Sequence, residues 1–199
     1  NSVVRGDSAP TAPHVLTVTG NRVTGCGGGV ALSEGGTLRR ATVTANKATA
    51  AVTIGDPDGG AGICAAVTNV SSLPHCAPAI VCCAHSWCCC QGFVHDSVAN
   101  ANTATGVSGG GVGVAPGVEL ALTATRVEGN TATAGGGALV AEDSTLLVTD
   151  PATSRFSDNT AVSGNGGGVL CRACTLVSGA VVSSNTASAT NAHGGGIAV

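Results

Sequence analysis

The 199-residue sequence predicts an all-β fold, a parallel β-solenoid of about seven coils with one cysteine-rich insertion. Three observations carry that expectation. Glycine triplets recur, beginning at Gly27, Gly109, Gly135, Gly166 and Gly194, with a degenerate copy, Gly59-Gly60-Ala61-Gly62-Ile63, in the long gap. An asparagine stands ahead of each: Asn21, Asn46, Asn102, Asn130, Asn159 and Asn185, spaced by 25, 56, 28, 29 and 26 residues. Third, the apolar vocabulary is small. Ala and Val dominate, with one Trp, two Phe and neither Tyr nor Met. Such residues fill only a thin, regular interior at native packing density.

Alignment on the asparagine sorts the chain into columns. Three residues before it stand Val18, Val43, Ala99, Val127, Phe156 and Val182; two after it stand Val23, Ala48, Ala104, Ala132, Ala161 and Ala187. Between these, one after the asparagine, come Arg22, Lys47, Thr103, Thr131, Thr160 and Thr186. Apolar and polar positions therefore alternate, as in a strand with one buried side. After the triplets, Val30, Val112, Ala138, Val169 and Ile197 form one inward column. Leu32, Val114, Val140, Cys171 and Val199 form another. Leu38, Leu120, Leu146 and Leu176 follow about ten residues later. Each period of about 28 residues thus holds roughly three short strands. The 56-residue spacing reads as two periods with one asparagine missing. A unit of this kind buries its apolar face only by stacking on its copies, at ~4.8 Å per coil. The glycines mark tight corners, and the asparagines either stack as an amide ladder or occupy left-handed turn positions.

Residues 1–13 form a Pro/Ser/Thr leading segment, and 14–199 a single β-helix domain, interrupted at about 65–97. Seven cysteines are packed into or beside that interruption: Cys64, Cys76, Cys82, Cys83, Cys88, Cys89 and Cys90. The interruption is too poor in apolar residues to fold alone, and disulfides would hold it. Cys26 is a candidate partner for the odd seventh thiol. A metal site built from His75, His85, His95 and these cysteines is the alternative, although their spacing is not that of paired zinc ligands. Cys171 and Cys174 have C-x-x-C spacing on a strand, which suits a local bridge or a buried thiol rather than a redox site. Ten cysteines in all point to an oxidising, extracellular compartment. The sequon at Asn69 and the Pro-flanked Ser8 and Thr11 are glycosylation candidates there. Arg5-Gly6-Asp7 matches a cell-attachment tripeptide, and Asp56-Pro57-Asp58-Gly59 reads as a turn with carboxylates.

Phe156-Ser157-Asp158-Asn159, followed by a Gly-Gly segment, resembles the FxxN and GGA[ILV] repeats of polymorphic outer-membrane (Pmp-like) proteins, and Gly136-Gly137-Ala138-Leu139 matches the second motif as it stands. The resemblance covers some three quarters of the chain. It implies a right-handed parallel β-helix at a cell surface, used in adhesion or in building appendages. Similar repeats occur in extracellular proteins of algae and protists, including those of flagellar hairs (mastigonemes).

Function classes are narrowed further by charge. Charged residues make up 10% of the chain and the net charge is −3, which leaves no basic footprint for nucleic acid. No apolar run of about 18 residues suggests membrane insertion. A signal peptide is not expected within this chain. Solenoid lyases and glycosidases need paired carboxylates on adjacent coils. The acidic residues fall mostly at corners (Glu34, Glu142, Asp143), with Glu119 and Glu128 flanking one strand pair. No enzyme activity, cofactor or metal is therefore expected. The chain stops midway through a repeat at Gly194-Gly195-Gly196-Ile197-Ala198-Val199; an uncapped coil is an unpaired sheet edge, so more protein or another subunit is expected to follow. The expected role is an extracellular structural segment, stacked end to end on itself or its neighbours in a surface filament or a flagellar or ciliary appendage. A glycan-binding or adhesin module is the alternative, and a polysaccharide-active β-helix enzyme the second.

Overall fold

The structure, a computed structural model, describes residues 3–5, 16–24, 28–32, 36–49, 61–65 and 91–199. Among the described residues every regular element is a short β-strand, and the 24 strands form four six-stranded parallel sheets. Sheet I holds Val3–Arg5, Thr37–Arg39, Gln91–His95, Glu119–Thr123, Thr145–Thr149 and Thr175–Ser178. Sheet II holds Leu16–Thr19, Ala41–Thr44, Val98–Asn100, Arg126–Glu128, Arg155–Ser157 and Val181–Ser183. Sheet III holds Arg22–Thr24, Lys47–Thr49, Thr103–Thr105, Thr131–Ala132, Thr160–Ala161 and Thr186–Ala187. Sheet IV holds Val30–Leu32, Ile63–Ala65, Val112–Val114, Leu139–Glu142, Val169–Arg172 and Ile197–Ala198. The chain visits I, II, III and IV in turn, six times, and each strand pairs with its copy in the next winding. The fold is a parallel β-solenoid.

Register follows the asparagine-based columns. Val18 faces Val43, then Ala99, Val127, Phe156 and Val182. Val23 faces Ala48, Ala104, Ala132, Ala161 and Ala187. A one-residue slip would turn every apolar side chain outward, so the alternation pins the register. Phe156, Leu38, Ile63, Leu120, Leu122, Leu139 and Leu146 are the largest fully buried side chains, each stabilising by roughly 1.5–3 kcal/mol on burial. They form the main core with the Val residues. The alanine column of sheet III lines a separate, narrower cluster with Ala61 and Val107.

Several sequence expectations are corrected. Six windings are present among the described residues rather than about seven, because Lys47 pairs directly with Thr103. The 56-residue spacing is therefore one enlarged winding, and no asparagine is missing. Each winding has four strands, not three; after the first winding, the sheet I and sheet II strands are separated by only one to five residues. Sheet I resumes at Gln91–His95, inside the stretch 65–97 read as interruption. Ala138 and Val140 are out of register with the columns proposed for them. Leu139 pairs with Val112 and Val169, and Ala141 with Val114 and Cys171. The functional triplet there is Gly136-Gly137-Ala138, one residue later than the Gly135 start. Val140 is buried, but with Leu170 and Ala198 in a cluster of its own. Leu38 pairs with Val94, whose other partner is Leu122, so it stands two residues off the Leu120 column.

Candidate functional site

The asparagines stand in one row at the corner between sheets II and III. Each carboxamide Nδ2 donates to Oδ1 of the next: Asn21 to Asn46 at 3.0 Å, Asn46 to Asn102 at 3.1 Å, Asn102 to Asn130 at 3.0 Å, Asn130 to Asn159 at 3.0 Å and Asn159 to Asn185 at 2.9 Å. The same Oδ1 also accepts the backbone N–H of the preceding asparagine, at 2.9–3.0 Å. The second Nδ2 proton goes to a carbonyl of the preceding winding, at Val18, Val43, Ala99, Val127 or Phe156. That carbonyl belongs to the residue three before the preceding asparagine, which is the physical content of an FxxN spacing. Asn46, Asn102, Asn130 and Asn159 are buried; a buried amide with all its bonds made stabilises, and one with bonds missing is costly. These are structural residues.

The residue before each asparagine turns the corner at positive φ: Gly20, Ala45, Ala101, Gly129, Asp158 and Ser184. A shorter hydroxyl series lines the I–II corner. Ser97 Oγ donates to the His95 carbonyl at 2.7 Å and accepts from the Ala41 N–H, Thr125 Oγ1 donates to the Thr123 carbonyl at 2.9 Å, and Ser154 Oγ donates to the Thr149 carbonyl at 2.7 Å.

The remaining sequence candidates scatter. Cys171 and Cys174 form a disulfide across the IV–I corner, with Cα atoms 5.4 Å apart, so the local bridge is the form seen. Cys64 lies on a sheet IV strand whose Cα partners are Ala31 and Gly113. Cys26, Cys76, Cys82, Cys83, Cys88, Cys89, Cys90, Asn69, Ser8, Thr11, His75, His85, Glu34 and the Asp56–Gly59 turn lie outside the described residues, as do Gly6 and Asp7. Among the described residues no group of three or more His, Cys, Asp or Glu could hold a metal. His95 stands on the outer side of sheet I, stacked on Phe93 with ring centroids 6.1 Å apart. Partial burial, and then the charge of Arg39 beside it, hold its imidazole below the ordinary value, with Asp96 pulling the other way. Glu119 pairs in register with Gln91 and Thr145, and Glu128 with Asn100 and Ser157. No register pair among the described strands joins two carboxylates. No helix among them is long and apolar enough to cross a membrane.

Outward positions that composition alone did not flag form continuous rows. On sheet I, Phe93, Ala121, Leu147 and Val177 are register partners along four windings. Their signal is alternation on the far side of the Leu120 column, visible only once register is known.

Residues 153–172 match the model of the Chlamydia polymorphic membrane protein (Chlamydia_PMP) repeat. The matched stretch contains the Phe156 strand, the Asn159 rung and the Gly166-Gly167-Gly168 corner, so it is one working unit of the solenoid. The chain carries a Pmp-like repeat β-helix. Neither curated proteins nor solved structures gave a match. The Pmp-like unit matched directly spans 20 of the 199 residues; the other windings share its pairing and its asparagine.

Proposed function

We propose that the protein is an extracellular structural repeat segment of a cell-surface filament or appendage. The observation that carries this reading is the unbroken Asn21–Asn185 ladder, which makes each winding a template for another and gives a stiff rod. A Pmp-like unit supports a surface location, because that repeat is named for a membrane protein. The partners are neighbouring segments stacked end to end. The catalytic arrangement of solenoid glycosidases, two carboxylates facing one groove, has no counterpart in the described register pairs. Imaging of native surface material with antibody to this chain tests the reading. Label repeating along a fibre is expected; label confined to dispersed single particles overturns it.

A binding role is the second reading, favoured by the outward row Phe93, Ala121, Leu147 and Val177, of which Val177 is 54% exposed. Exposed apolar rows on an otherwise polar rod suit a protein or glycan partner. Binding to glycan arrays lost on Val177→Lys would support it over the structural role.

A further inference from the structure

Apolar columns face outward on two of the sheets, and the molecule treats them differently. On sheet IV the outward column runs through Gly113, Val140, Leu170 and Ala198. Its last three members are 3%, 4% and 8% exposed. They are covered by the III–IV corners of the same chain: a Cβ on Gly135 would meet the Leu170 side chain at 2.8 Å. The sheet I row keeps its exposure. Phe93, Ala121 and Leu147 are only half-buried, and Val177 is 54% exposed. An outward apolar column is thus hidden where the chain's own described corners reach it, and the sheet I row is left open to another occupant.

Charge is divided across the same face. Among the described residues, the margin beside the IV–I corner carries Glu119, Glu142 and Asp143, against Arg172. The margin beside the I–II corner carries Arg39, Arg40, Arg126 and Arg155, against Asp96 and Asp150. The first has three acids to one base and the second four bases to two acids, an excess of two in opposite directions. Arg126 and Arg155 are also direct register partners. Both are exposed, and neither guanidinium has an ion pair or hydrogen bond among the described residues. Like charges stacked in this way repel one another, and carboxylates supplied from outside would relieve them.

We propose that two copies of this chain pair side by side through the outer sides of sheet I, with their axes parallel. A two-fold axis along the rods lays each apolar row on its own copy. The same rotation turns the acidic margin of one rod onto the basic margin of the other. Asp143 and Arg155 bracket one winding, and Glu119 and Arg126 bracket the one before it, so each acid comes level with an arginine of the second copy. Antiparallel rods would set acid against acid. A second copy also shares the rise of ~4.8 Å per winding, so the contacts stay in step along the rod. Sheet I measures roughly 29 Å by 17 Å, or about 1,000 Å² over both partners, the lower end for a specific interface. The apolar row supplies affinity and the charged margins choose the orientation. This contact is lateral; it rests on the structural reading above and adds to end-to-end stacking.

Analytical ultracentrifugation of the purified full chain tests the pairing. Dimers are expected at roughly 50 μM chain. Leu147→Glu, in the middle of the row, should weaken pairing at least tenfold, whereas Thr160→Glu, on the outward side of sheet III, should leave it unchanged. Asp143→Arg and Arg155→Asp should each weaken it about tenfold, and the double variant should recover it, because the two charges are then exchanged. Circular dichroism confirms that each variant folds, and Val177→Glu, at the most exposed position of the row, serves if Leu147→Glu does not. A parent chain that stays monomeric overturns the proposal. So does equal loss in the sheet I and sheet III variants, or a double variant that pairs no better than the single ones. If Phe93 and Leu147 of a monomer resist hydroxyl-radical labelling, the proposal also falls and the row belongs to residues 66–90 of the same chain. Labelled fibres built from a chain that does not pair would leave the structural reading standing and remove only the lateral contact.

Discussion

Two corners of the winding use the same backbone conformation and tolerate different residues. At the II–III corner the positive-φ position holds Gly20, Ala45, Ala101, Gly129, Asp158 and Ser184, with φ between 51° and 71°. At the III–IV corner it holds Gly109, Gly136, Gly166 and Gly194, with φ between 58° and 71°. Dihedral angle alone does not explain why one corner accepts alanine, aspartate and serine while the other is glycine in all four windings where it is described. What lies beside the missing Cβ does. A Cβ on Gly129 would meet nothing within 4 Å, whereas one on Gly136 would strike the Leu139 carbonyl, with its carbon at 2.9 Å. The next position is tighter still, since a Cβ on Gly137 would run into the Gly167 carbonyl and the Thr160 backbone at 2.6 Å. At the II–III corner the strain of a non-glycine residue, about 1–2 kcal/mol, is offset by the asparagine that follows it.

The largest effect expected from breaking this comparison is at the ladder. Asn130→Ala removes two donated and two accepted bonds and leaves the Asn102 N–H and the Ala99 carbonyl buried without them. A loss of about 4 kcal/mol is expected, read as a fall in the midpoint of thermal or denaturant unfolding. Gly136→Ala comes next, at about 3 kcal/mol, because left-handed strain and a backbone clash add. The disulfide at the third corner gives an intermediate case. Replacing both Cys171 and Cys174 with alanine should cost about 2 kcal/mol, since the loop it closes is short. The same substitution as at Gly136, made at Gly129, should cost only about 1 kcal/mol; equal losses at Gly129 and Gly136 would refute the account of the two corners. Smallest, and opposite in sign, is Ala101→Gly. Relief of the positive-φ strain should outweigh the added freedom of the unfolded chain by roughly 0.5 kcal/mol.

The contrast also explains what could be read from the sequence. An asparagine whose partner is its own copy must recur in every winding, so that column was visible without coordinates. Glycines crowded by backbone were visible for a related reason. The I–II corner was not, because its positive-φ residues are Arg40, Asp96, Ala124 and Asp150, with no one residue type throughout; two strands there read as one. The III–IV corner varies in length from winding to winding, and that variation hid Leu139 behind Ala138. The wide gap between Asn46 and Asn102 suggests two windings in sequence yet forms one, because length in sequence does not report how far the chain advances along the axis.

The stacking of like residues is tested most directly by nuclear magnetic resonance of the asparagine side chains. The carboxamide protons of Asn46, Asn102, Asn130 and Asn159 should exchange slowly with solvent, and each should show a through-space contact to the asparagine of the adjacent winding and to no other. Rapid exchange at those four amides, or contacts that skip a winding, would contradict a ladder and the register built on it.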